Sequence, residues 1–228
     1  MRKYLLHVLI ISFVFLLAPT AQVASYAGAI EDAKEEVRKN PDDADAHFNL
    51  GNAYYKSGKY EEAIKSYKQA LRIDPDDAKV HYNLGNVYFD SGMNREAIES
   101  YKQAIRIDPD YAEVHNNLGV AYENLGMYKE AIEPYKQAIK NNPDYEDAAY
   151  RLGFIYGKLR MWKEVIEFTK QEIRNNPDLP EADLAAAYFA LCIAYHYSND
   201  SDSALEQYKI LKSLDPSLAN KLVDIIYK

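Results

Sequence analysis

Cysteine is nearly absent: Cys192 is the only one in 228 residues. An internal disulfide, a CxxC metal knuckle and an iron–sulfur site are therefore excluded. Tryptophan is equally scarce, with Trp162 alone, against 21 tyrosines. Basic residues number 27 and acidic ones 35, a net charge of −8 with no basic tail. A phosphate backbone is a poor partner for such a chain, so nucleic-acid binding is not expected. The sequence contains no GxSxG, HExxH, P-loop or dinucleotide fingerprint. No nucleophile stands beside a base, so the chain is not read as an enzyme, and no cofactor or metal is expected.

The N-terminus carries a distinct signal. Arg2 and Lys3 precede an uncharged run from Tyr4 to Ala18, Pro19 breaks it, and Thr20, Ala21, Ala24, Ser25 and Ala27 follow. Charged, apolar and small regions in that order describe a secretory signal peptide over residues 1–27. The run is short for a spanning helix, which needs about 20 apolar residues. An uncleaved anchor through residues 4–24 is the alternative. The expected location is therefore periplasmic or secreted, with N-terminal anchoring as the variant.

Downstream, the stretches HFNLGN, HYNLGN and HNNLGV begin at His47, His81 and His115, 34 residues apart. Counting position one at Ala44, Ala78, Ala112 and Glu146, position seven is leucine and position eight glycine in all four units, and position eleven is Tyr54, Tyr88, Tyr122 and Tyr156. Offsets of three, one and three mark one face of a helix. Positions 20, 24 and 27 repeat as Ala63, Tyr67 and Ala70, then Ala97, Tyr101 and Ala104, then Ala131, Tyr135 and Ala138. That is a second helix. Gly58, Gly92 and Gly126 lie between the helices, where a turn needs positive φ. Pro75, Pro109, Pro143 and Pro177 close the units, because the residue before proline avoids the α region. The aspartate after each proline is expected to sit near the next helix N-terminus.

A glycine inside a helix costs about 1 kcal/mol against alanine. Its recurrence at position eight implies a helix crossing with no room for a side chain. Tyrosines at positions eleven and 24 then read as wedges, which accounts for much of the tyrosine excess. Cys192 holds position eight of a fifth unit and reads as a buried packing residue. The spaced histidines, at position four of successive units, are too far apart for one metal ion and are read as packing groups. Serines 57, 66, 91 and 100 are placed at turns or on the helix surface.

This pattern closely resembles the tetratricopeptide repeat family over residues 44–218. The resemblance implies an all-α fold, a right-handed superhelical solenoid of antiparallel helix pairs. Its organisation would be a half-repeat helix at 28–43 and repeats at 44–77, 78–111, 112–145, 146–179 and 185–218, the last two degenerate. A capping helix at 219–228 closes the chain, with Leu222, Ile225 and Ile226 as its packing stripe. Arrays need such caps because a terminal unit exposes a hydrophobic face.

In the family, positions six and nine of the first helix line a concave groove. Here position six holds Asn49, Asn83, Asn117, Arg151 and Ala190, and position nine holds Asn52, Asn86, Val120, Phe154 and Ile193, with Tyr82, Phe48, Tyr55 and Phe89 nearby. Asparagine is a middling helix former, but its amide matches a peptide bond in donors and acceptor. The series resembles the asparagine-lined groove in the repeat domain of O-linked N-acetylglucosamine transferases, and implies a groove for an extended peptide. Solvated side chains and bonds between neighbouring units are the alternatives. A carboxylate clamp of the chaperone-binding members is only partly matched. Asn86, Asn117 and Arg151 stand in register, but Tyr82 and Asp147 replace its lysines. The expected function is an exported scaffold or adaptor for a protein or peptide partner. A self-assembling structural protein of the envelope is the alternative. The polar residues Asn220, Lys221, Asp224 and Lys228 of the last helix oppose end-to-end stacking, so a monomer is expected.

Overall fold

The computed structural model describes residues 26–143 and 145–226. The proposed signal segment, apart from its last two residues, lies outside the described residues. Every regular element described is a helix. Residues 26–39 form α1. There follow α2 (Ala44–Lys56), α3 (Tyr60–Ile73), α4 (Ala78–Asp90), α5 (Asn94–Ile107) and α6 (Ala112–Asn124). Then come α7 (Tyr128–Asn141), α8 (Glu146–Lys158), α9 (Trp162–Asn175), α10 (Glu181–Tyr197), α11 (Ser201–Leu214) and α12 (Pro216–Ile226). The chain divides into two bodies, one ending at Met127 and one beginning at Tyr128. In the first, α2 packs on α3 and α4 on α5. In the second, α8 packs on α9, α10 on α11, and α12 against both α10 and α11.

Starts and stops follow from local chemistry. The Asp43 carboxylate accepts from the Asp45 amide, and the Asp77 carboxylate accepts from those of Lys79 and Val80, satisfying donors that a helix start leaves open. These caps lie one residue beyond the aspartate that follows each proline. Asp76 instead takes the Asp74 carboxylate on its own amide and reaches Arg106 at 3.3 Å. At the far end of α2, Gly58 adopts φ +74°, its amide bonds the Tyr55 carbonyl at 2.9 Å, and the Lys59 amide bonds the Tyr54 carbonyl at 3.0 Å. This paired closure is a Schellman motif. It recurs at Gly92 and Gly126, and then at Arg160 and Asn199, whose φ values are 56° and 61°.

The core of the first body is built from the repeated small and ring residues. Ala63, Tyr67, Ala70, Ala97, Tyr101 and Ala104 are buried beside Val80, Leu84, Val87 and Leu118. Burying a large apolar side chain contributes roughly 1.5–3 kcal/mol, so the tyrosine rings carry much of this stack. Ser66 and Ser100 are buried too, contrary to the surface placement read from sequence. Each hydroxyl donates to a carbonyl one turn back, that of Glu62 or Glu96, at 3.0 Å. That internal bond is what lets a serine occupy a buried position.

The histidines also have a local role. The His47, His81 and His115 Nε2 atoms lie 2.8, 3.0 and 2.8 Å from the carbonyls of Pro41, Pro75 and Pro109. Each ring therefore ties its helix to the turn that leads into it.

The second body departs from the period. The insertion before Ala185 is an extra turn, since α10 begins at Glu181. Helix α12 starts at Pro216, where Asp215 accepts from the Leu218 amide at 2.9 Å. Leu222 is buried and Ile226 half-buried, but Ile225 is 51% exposed, so the expected three-residue stripe is narrower. Helix α7 runs through Pro134.

Candidate functional site

In the first body, α2, α4 and α6 lie side by side. On their shared face a pocket of about 280 Å³ is lined by Tyr55, Asn86, Phe89, Asp90, Tyr101, Asn117 and Val120. Its floor is a hydrogen-bond network. The Tyr101 hydroxyl donates to Asn86 Oδ1 at 2.8 Å, and Asn117 Nδ2 donates to the same oxygen at 3.1 Å. Asn117 Nδ2 also lies 3.3 Å from the Tyr82 hydroxyl. At the mouth, the Tyr55 hydroxyl donates to Asp90 Oδ2 across adjacent repeats. The Tyr82 ring stands 5.2 Å from that of Tyr111 and 6.2 Å from that of Tyr101, within the range of favourable tilted pairs.

The electrostatics keep these phenols neutral. Burial raises the Tyr101 phenol well above its ordinary value, and burial followed by the bond to Asp90 does the same for Tyr55. A neutral phenol donates, and both hydroxyls are used as donors here.

The residues read from sequence as groove residues have different fates. Asn52 Oδ1 accepts from the Tyr67 hydroxyl at 2.7 Å, the same arrangement as Asn86 with Tyr101. Asn49 is exposed. Asn83 Nδ2 turns back to the Lys79 carbonyl at 2.8 Å. Asn86, Asn117 and Tyr82 form one connected network that crosses from α4 to α6. Arg151 belongs to the second body, where its Nε is 2.9 Å from Asp147 Oδ2. In the first two repeats, position nine is thus first of all a latch between paired helices. Position six bonds to its neighbour at Asn117 but not at Asn83.

Val120, at position nine, lines the pocket as the sequence reading implied, whereas Asp90 and the part played by Tyr101 were missed. A signal for the last was present. If the position-24 ring lies over the position-eight glycine, its hydroxyl must reach the next residue, which is asparagine in the first two repeats.

A larger cleft of about 880 Å³ lies in the second body, lined by α7, α8 and α9. Its rim mixes Lys136 and Lys140 with Glu164, Glu167 and Glu172, and burial raises the Glu172 carboxyl above its usual range. The repeat is altered here. Phe168 and Thr169 stand where the first two repeats have a serine and a tyrosine. The nearest ring atom to a Cβ built on Gly153 is then 3.5 Å away. The smaller pocket is the stronger site, because three successive repeats aim side chains into it. Among the described residues, no group of three or more histidine, cysteine or acidic side chains is placed to hold a metal ion.

Tetratricopeptide repeat models match residues 33–65 and 112–145, and a TPR repeat model matches 51–92 and 85–126. No curated protein matches the chain significantly. Among solved structures, the chain is similar to YrrB, a TPR protein described as having an unusual peptide-binding site. The identity is 24% and the TM-score 0.64, over 85% of this chain and 98% of that one. It is also similar to the MamA protein, at 28% identity and TM-score 0.59 over 78% and 94% of the two chains. A third is Pseudomonas aeruginosa pilF, at 19% identity and TM-score 0.58 over 90% and 91%.

Proposed function

Residues 33–145 of the chain are tetratricopeptide repeats, and on that premise we propose that the protein is an exported, non-enzymatic scaffold that holds an extended peptide segment of a protein partner. The observation that carries this reading is the pocket shared by α2, α4 and α6, with Asn86 and Asn117 in its floor. Asn86 lines the pocket with Oδ1 occupied twice, and its Nδ2 donates to no described residue. Asn83 keeps Oδ1 as an acceptor. One donor and one acceptor on adjacent turns suit the carbonyl and amide of a peptide backbone. The tyrosine rings around them supply apolar contact at low entropic cost. YrrB's described peptide site is consistent with such a use of the fold.

Export rests on the charged, apolar and small order of residues 1–27. No helix among the described residues is long and apolar enough to cross a membrane. Hydrogen exchange on the full chain, with and without a peptide selected from a random library, tests the groove. Protection is expected in α2, α4 and α6; protection confined to α3 and α5 would place binding elsewhere. Intact mass after expression in an exporting bacterial host tests the segment. The expected chain begins near Tyr26 or Gly28, and one that retains Met1 would contradict cleavage.

A further inference from the structure

We propose that the pocket is a specificity site for a basic side chain, lysine or arginine, of the bound peptide. The proposal rests on the peptide reading above and adds the chemistry of one residue to it. At about 280 Å³, the pocket is at the small end of ligand sites, suited to one side chain. Its walls include the Phe89 and Tyr55 rings, and a cation placed over a ring face is attracted by it. Its mouth holds the Asp90 carboxylate. Tyr55 fixes that carboxylate in place by donating to Oδ2, which leaves Oδ1 to accept. Among the described residues, no lysine or arginine is paired with Asp90. A positioned carboxylate without a counter-charge, beside two rings, suits an ammonium or a guanidinium, and the guanidinium can both stack and fork. The net charge of −8 favours the approach of cationic segments. Such a site is opposite in polarity to the clamp for acidic groups that Asn86 and Asn117 would suggest by themselves.

The test is panning of a random heptapeptide library on the full chain, on Asp90→Asn and on Tyr55→Phe, with a thermal melt of each. The expected result is enrichment of lysine or arginine at one peptide position on the parent. A synthetic peptide from that pool should bind Asp90→Asn about fivefold more weakly, as befits a charge pair open to solvent. Its affinity for the parent should fall as sodium chloride is added. Tyr55→Phe, which frees the carboxylate, should show a smaller loss. Binders enriched in acidic or aliphatic residues, or unchanged affinity in Asp90→Asn with an unchanged melt, would overturn the basic-residue proposal and leave the groove standing. A parent chain that selects no peptide would overturn both.

Discussion

The Tyr101 ring lies directly on Gly85: a Cβ built on that glycine would stand 2.5 Å from Tyr101 Cε1. The Tyr67 ring lies on Gly51 in the same way, also at 2.5 Å. No ordinary Cβ contact is that short, so helix and ring would have to separate. Gly85→Ala should therefore destabilise by about 1–3 kcal/mol, the usual range of overpacking. Gly157 has nothing within 4 Å of the same construction. Gly157→Ala should stabilise by roughly 0.5–1 kcal/mol, the helix preference alone. Urea melts of the two variants should move in opposite directions.

Arg160 closes α8 at φ 56°, where the equivalent residues in earlier repeats are glycines. Left-handed backbone costs an L-residue roughly 1–2 kcal/mol, partly offset by the greater freedom that glycine loses on folding. Arg160→Gly should raise stability by about 0.5–1 kcal/mol. The reverse change, Gly92→Arg, should lower it by a similar amount. Thermal melts of both check the argument. A melt of Arg160→Gly at or below the parent value would show that the arginine side chain contributes more than its backbone costs.

Cys192 is buried, and burial pushes its thiol from 9.0 up to about 11. The thiolate is the reactive form, so a disulfide reagent at pH 8 should label the native chain slowly and the urea-unfolded chain at once. The linked stability has a definite sign. The unfolded thiol ionises first as pH rises, so the stability contributed by the protonated, buried form is present below about pH 9 and lost between there and about pH 11. Rapid labelling of the native chain at pH 8 would contradict the burial.

Most of the fold was legible because the repeat restates a few packing constraints. Glycine at position eight and tyrosine at position 24 are two halves of one crossing, and each recurs wherever the other does in the first two repeats. The turn glycines declared their backbone equally well. The groove was less legible for a physical reason. An asparagine facing a partner and one latching its own helix pair look alike in sequence. Only the reach of the Tyr67 and Tyr101 hydroxyls distinguishes them, and that depends on the tilt between helices. Ser66 and Ser100 escaped for a similar reason, since a serine bonded one turn back reads like a surface serine. The second body was least legible, because Thr169 and Arg160 replace the tyrosine and the turn glycine that the pattern depends on.

On the proposed reading the face of α2, α4 and α6 holds a peptide by its backbone, and two asparagines separate that reading from its alternatives. Asn83 makes only a local bond, whereas Asn117 ties α6 to Asn86 and Tyr82. Isothermal calorimetry of a selected peptide against Asn83→Ala, beside a thermal melt, is the most direct measurement. Losing a backbone hydrogen bond of about 0.5–1.5 kcal/mol should weaken binding roughly two- to tenfold. Stability should be unchanged or slightly raised, since alanine is the better helix former. Asn117→Ala should weaken binding and also lower stability by about 1 kcal/mol. Full-strength binding by both variants, with only the second losing stability, would contradict the account and leave these asparagines as latches within the fold.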